Sequence, residues 1–206
     1  MKNIKLYQKI IAILVLLLGL ALLFSEPIKK QLIISYSPNV SKKTSTKKDV
    51  SFDMNRVDRL SLYDVIKARF ESKNIQLLGK IYIPSIKLDL PIGKGVSNNV
   101  LSLGVGTMNP DQRMGFGNYA LAGHNMDDGK TLFSPLYSKG KVGMYVYLTD
   151  MDKIFKYKIN RLMYISPYQT NIIQNSKKPI LTLITCNDDG SKRLVAQGLL
   201  ISVKKK

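Results

Sequence analysis

The chain has 206 residues, room for one catalytic-size domain with short appendages. Its hydrophobic content of 45% excludes wholesale disorder, and its single cysteine excludes an internal disulfide. The formal net charge of +18 attracts polyanions, but no helix-turn-helix, zinc-finger or aromatic RNA-reading pattern accompanies it, so nucleic acid is not an expected partner.

Residues 10–24, IIAILVLLLGLALLF, are apolar without a break and follow Lys2, Lys5 and Lys9. A membrane span takes about 20 residues, and Leu6, Tyr7 and a snorkelling Lys9 extend this one to about 6–24. The exit, Leu22-Leu23-Phe24-Ser25-Glu26-Pro27, lacks the small residues that signal peptidase needs, so residues 1–27 are expected to be an uncleaved signal anchor. Lysines flank both sides; the first segment usually sets orientation, which places the amino terminus inside and the body outside. Residues 1–50 carry +7 of the net charge (nine lysines against Glu26 and Asp49). For a chain so anchored, anionic lipid or an anionic cell-wall polymer suits that charge, as does a merely solvated surface.

Residues 28–54 are expected to form a polar, basic stalk, with the Ser/Thr/Lys-rich stretch 37–52 as a solvated tether. Ser61 and Asp64 then make a capping-box pattern that opens a short helix over about 61–72, with Leu62, Val65, Ile66 and Phe70 as its apolar face. From Leu77 the pattern changes to short strands: LGKIYIPSI, KLDLPI, Asn118–Ala122, Met144–Leu148, Ile154–Ile159, Ile180–Thr185 and Leu194–Val203. The expected fold is mainly β, a closed barrel of seven to eight strands with short helices, spanning residues 55–206. The connections are too short for a doubly wound α/β sheet.

His124 is the only histidine and follows the strand-like YALAG, whose glycine is expected to turn the chain and present the imidazole at a sheet edge. Cys186 stands at the exit of the apolar run Ile180–Thr185, and the chain turns polar at once. A lone cysteine is either a small buried hydrophobe or a reactive thiol, and a strand exit suits the second. Arg193 lies seven residues on, and a hairpin would return it to Cys186, where a guanidinium stabilises a thiolate or an oxyanion. Standing alone, Arg193 reads more readily as an ordinary surface charge at a strand start.

Together, TLITC (182–186), Arg193 and the upstream LAGHN resemble the signature of the sortase family, and GKIYIPSIKLDLPIGKG and GNYALAGHNMDDGKTLFSPLY resemble that domain's opening strands and histidine segment. The resemblance covers about residues 55–203, and the amino-terminal anchor without a second hydrophobic segment is most similar to class A, the housekeeping type. The Cys-to-Arg loop is short for the family, which implies a tight loop beside the groove. The resemblance implies a cysteine transpeptidase that cleaves a Leu-Pro-X-Thr-Gly sorting signal between Thr and Gly. It joins the Thr carboxyl to an amine of a peptidoglycan precursor (lipid II), so surface proteins become anchored to the wall. Cys186 would be the nucleophile, His124 the acid and base, and Arg193 the oxyanion partner. Thr185 would assist the oxyanion site, and Ala122, Thr182, Ile184 and Leu101 would line the groove for Leu-Pro.

No cofactor is expected. Segment 104–118 holds only Asp111 and segment 171–178 no acid, too few oxygen ligands for calcium. One cysteine and one histidine make no zinc site without carboxylates. Alternatives are a pilin-assembling sortase class and a non-enzymatic, membrane-tethered basic module that binds wall polymer. A papain-type hydrolase has Cys before His, and an L,D-transpeptidase has them close together, whereas here 62 residues separate them.

Overall fold

A computed structural model describes residues 6–38, 50–52, 60–126 and 128–206; most of the expected tether (39–49), the end of the expected stalk and the first residues of the expected domain (53–59) lie outside the described residues. The apolar run forms helix α1 (Leu6–Leu23), long and apolar enough to cross a membrane and with no residue buried in protein. Helix α2 (Ser25–Ile34) follows, running from the end of the segment read as anchor into the stretch read as stalk. It carries Glu26 in its first turn, where an acid suits the helix dipole. Lys29 Nζ donates to Glu26 Oε1 at 2.6 Å and to the Leu60 carbonyl at 3.2 Å, and Ile33 is buried against Val65 and Leu132. Part of the expected stalk is therefore docked on the domain through Lys29 and Ile33, while Ile28 and Ile34 face outward.

Helix α3 (Leu62–Phe70) opens on the capping box read from Ser61 and Asp64: Asp64 N donates to Ser61 Oγ at 3.1 Å, and Ser61 N donates back to Asp64 Oδ2 at 3.0 Å. Its buried stripe differs from the expected one. Val65 and Ala68 are inside, while Phe70 is 85% exposed. Two helices clasp α3 along the Val65–Ala68 line, α2 on one side and α4 (Asn98–Leu103) on the other, and Phe70 lies off that line.

The body is a closed barrel of β1 (Leu77–Ile83), β2 (Leu88–Gly93), β3 (Val105–Thr107), β4 (Asn118–Ala122), β5 (Tyr145–Thr149), β6 (Lys153–Ile165), β7 (Ile180–Cys186) and β8 (Arg193–Lys205). The strand order around it is β1-β2-β3-β4-β7-β8-β6-β5, with β2–β3 and β4–β7 parallel. Closure leaves no free edge. Period-two alternation sends Ile81, Leu121, Leu148, Tyr157 and Leu183 into the lumen, each worth about 1.5–3 kcal/mol of burial. A second apolar cluster lies outside the barrel wall: Ala120, Ala122, Ile184 and Val195 pack with Leu101 of α4, Met108 and Ile165. Helix α5 (Ser134–Lys139) closes the segment after His124.

Candidate active site

β4 and β7 run parallel, with Ala120 paired to Thr182 and Ala122 to Ile184. Two bonds carry the match past the last pair: Gly123 N donates to the Ile184 carbonyl at 3.1 Å, and Thr185 Oγ1 donates to the Gly123 carbonyl at 2.8 Å. His124 and Cys186 thus each stand two residues beyond Ala122–Ile184, at the same end of adjacent strands. β7 and β8 are antiparallel, and Cys186 is register partner to Arg193. Thiol, imidazole and guanidinium therefore come from three neighbouring strand ends.

Alternation also assigns faces. Thr182, Ile184 and Cys186 share a side of β7, while Leu181 and Leu183 face the lumen. Ala122, Ile184 and Leu101 belong to the outer cluster, which makes an apolar floor leading to Cys186. Thr182 is fully buried beneath it: its hydroxyl donates to Asn118 Oδ1 at 2.7 Å and accepts from Gln197 Nε2 at 3.2 Å. Thr185 lies on the other face, its hydroxyl held by Gly123.

Gly123 serves differently from the expected turn. It is not among the positive-φ glycines, and a Cβ there would meet the Phe133 ring at 2.7 Å and Val105 at 3.1 Å. Close packing is what requires glycine. The His124 carbonyl then accepts from Phe133 N at 2.9 Å, fixing the backbone beside the imidazole. Burial pushes the His124 pKa down to about 4, and the nearby Asp64 carboxylate of α3 partly offsets this. The imidazole is neutral at pH 7, in the form that accepts a proton.

The loop beyond Cys186 is tied to itself and to the histidine loop. Lys192 N donates to Asn187 Oδ1 at 2.8 Å, and Asn187 N donates to the Lys192 carbonyl at 3.1 Å. Across the gap, Asn125 Nδ2 donates to Asp188 Oδ1 at 3.0 Å and the Tyr137 hydroxyl donates to Asp188 Oδ2 at 3.3 Å. Arg193 Nη1 rests on the Gly190 and Lys192 carbonyls at 2.9 and 3.2 Å. Its guanidinium is at the site but held by its own turn. The Asn125–Asp188 clasp and the nearness of Asp64 to His124 escaped the sequence reading, since nothing in a single chain links positions 63 and 60 residues apart.

A cysteine and a histidine at one end of a closed barrel, with an arginine opposite the cysteine, are the groups that a thiol acyl-transfer enzyme uses. Residues 81–201 match the family model described as Sortase domain. The chain is 37% identical to Sortase A of Streptococcus agalactiae, covering 93% of this chain and 83% of that one, and 36% identical to Sortase A of Listeria monocytogenes, covering 96% and 93%. The solved structure of Listeria monocytogenes sortase A superposes with a TM-score of 0.61 at 39% identity, over 63% of this chain and 90% of that one. Sortase C1 of Streptococcus agalactiae superposes at 0.54 with 26% identity, over 61% and 68%. The chain belongs to the sortase family, and within it to class A. It is a cysteine transpeptidase of the cell surface that anchors proteins to the wall.

Proposed function

We propose that this transpeptidase takes proteins ending in a Leu-Pro-X-Thr-Gly signal, cuts between Thr and Gly, and transfers the Thr carboxyl to an amine of the peptidoglycan precursor lipid II. The observation that carries the reading is the register of β7 and β8, which sets Cys186 opposite Arg193 at the strand end shared with His124.

Cys186 Sγ attacks the threonine carbonyl as its proton passes to the neutral His124. Arg193 turns from the Gly190 and Lys192 carbonyls to the oxyanion, two neutral acceptors that a charge-bearing oxygen outcompetes. Collapse breaks the Thr–Gly bond, His124 protonates the departing glycine amine, and a thioester remains on Cys186. The acceptor amine then attacks that thioester, His124 takes its proton, and the thiol is restored. Ala122, Ile184 and Leu101 pack the Leu and Pro of the signal, over a floor completed by Thr182. Thr185 acts as a positioning residue that holds the histidine strand to the cysteine strand. α1 anchors the enzyme with its amino terminus inside and its barrel outside.

Intact-mass spectrometry of residues 50–206 with a Leu-Pro-X-Thr-Gly peptide and triglycine tests this. An adduct ending at threonine, absent in Cys186→Ala, together with a triglycine-capped product is the expected result. Uncut peptide beside a folded protein with a titratable thiol would overturn the signal assignment.

A further inference from the structure

Across the barrel from β4 and β7 stand β1 and β5. Their alternation turns Ile81, Val146 and Leu148 inward, and Lys80, Tyr82, Tyr145 and Tyr147 outward. On β6, Lys158 and Lys156 lie opposite Tyr145 and Tyr147. The result is a surface of interleaved rings and ammonium groups that catalysis does not use.

Its geometry is set by strands rather than loops. The Tyr82 and Tyr147 rings lie 6.3 Å apart at 38°. Lys156 Nζ stands 4.0 Å from the centre of the Tyr145 ring and 5.8 Å from that of Tyr147, and Lys158 Nζ stands 5.8 Å from that of Tyr145. Tyr82 and Tyr145 keep 47% and 40% of their surface exposed. Tyr82 and Tyr147, with Pro84 and Ile154, line an open groove of about 410 Å³.

Two chemistries meet on this face, the groove supplying rings and β6 beside it the ammonium groups. Ring faces carry negative potential and receive the polarised C–H groups of a sugar, while fixed ammonium groups receive phosphate. Among the described residues neither Lys156 nor Lys158 is in a salt bridge. The nearby acids do not neutralise the face: Asp89, paired with Tyr82, sits at its edge, and Asp150 is turned into its own turn, accepting from Lys153 N at 2.7 Å. The groove on the outer face of the paired strands β1 and β5 accommodates an extended chain. The overall +18 charge, which the reaction does not require, favours a polyanion.

We propose that the outer face of β1, β5 and β6 is a docking surface for a phosphate-bearing glycan chain of the wall, held on the side of the barrel opposite the active site. The enzyme is then gripped by polymer on one wall while the other stays open to substrate.

Calorimetry on the full chain in phosphatidylcholine nanodiscs tests this, with phosphorylated dextran as the probe. Binding is expected, tightening as salt falls, with unmodified dextran and inorganic polyphosphate at least tenfold weaker. Tyr145→Ala/Tyr147→Ala and Lys156→Gln/Lys158→Gln should each weaken binding at least tenfold, with cleavage of a soluble signal peptide unchanged. The lysine pair lies on the outer surface and decides the matter even if the tyrosine pair fails to fold. Unchanged affinity in the lysine variant overturns the proposal. So does equal binding of polyphosphate or of an oligo-dT strand, or loss of dextran binding in discs containing phosphatidylglycerol, which would hand the face to bare charge, nucleic acid or lipid.

Discussion

The Thr185 hydroxyl donates to the Gly123 carbonyl at 2.8 Å, so the residue before the cysteine holds the residue before the histidine. Both partners are buried, and removing the donor leaves a carbonyl without its bond. Thr185→Val is expected to cost about 1–3 kcal/mol in a denaturant melt. It should also lower kcat on a signal peptide, while Thr185→Ser stays close to the parent in both. Equal behaviour of the two variants would show that shape alone matters there.

Gly123 supplies a second check on the same joint. Its Cβ in Gly123→Ala would press on the buried Phe133 ring at 2.7 Å, and Phe133 has no free space to yield. The expected penalty is about 1–3 kcal/mol, with reduced activity as the histidine segment is displaced. Thermal denaturation and peptide cleavage measured on one preparation read both effects. A fully active, equally stable variant contradicts the packing argument.

Arg193 rests on two turn carbonyls and has to leave them to meet an oxyanion. Arg193→Ala is expected to lower kcat about 10²-fold or more, with Cys186 still open to alkylation. Arg193→Lys should recover only part of this, because an ammonium lacks the planar fork. Full recovery by lysine would reduce the role of Arg193 to that of a point charge.

For His124, burial lowers the pKa to about 4 while Asp64 pulls it upward. Titration followed by the ring proton signals should show a midpoint far below the ordinary 6.5, and lower still in Asp64→Asn, which keeps a capping acceptor. The linkage has a definite sign. Between pH 6.5 and about 4 the unfolded chain binds a proton that the folded chain refuses. This contribution to stability is complete above pH 6.5 and is lost as pH falls toward 4. A midpoint near 6.5 would mean that the ring is freely solvated.

Calcium is expected to be without effect. The cleft at the start of β4 is lined by Asn109, Asp111 and Asn175, but Arg113 stands in the same lining. One carboxylate beside a guanidinium makes a poor site for a cation that takes six to eight oxygens. Signal-peptide cleavage should be equal in EDTA and in millimolar calcium, and a several-fold rise with calcium would refute this.

Much of this was legible in the chain because alternation and punctuation are local. Pro84 marks the β1–β2 turn, and TLITC ends β7 at the expected residue. β3 escaped notice, since Val105–Thr107 is too short to show a period. The far half of β6 did too, since register shifts at Lys156/Tyr157 and Ile159/Arg161 scramble its alternation. The helix face of α3 was misjudged at Phe70 because its partners, α2 and α4, come from elsewhere in the chain. Asp64 beside His124 has the same origin: only the fold puts a helix cap next to a strand end.

β8 follows Cys186 in the chain, pairs with both β7 and β6, and brings Arg193 with it. Until that strand docks the barrel is open and no guanidinium stands beside the sulfur. In a chain whose β8 is not yet paired, Cys186 therefore lacks the arginine that the register brings opposite it. The proposed chemistry is completed by a pairing between distant segments, so it belongs to the closed barrel and not to the cysteine strand alone.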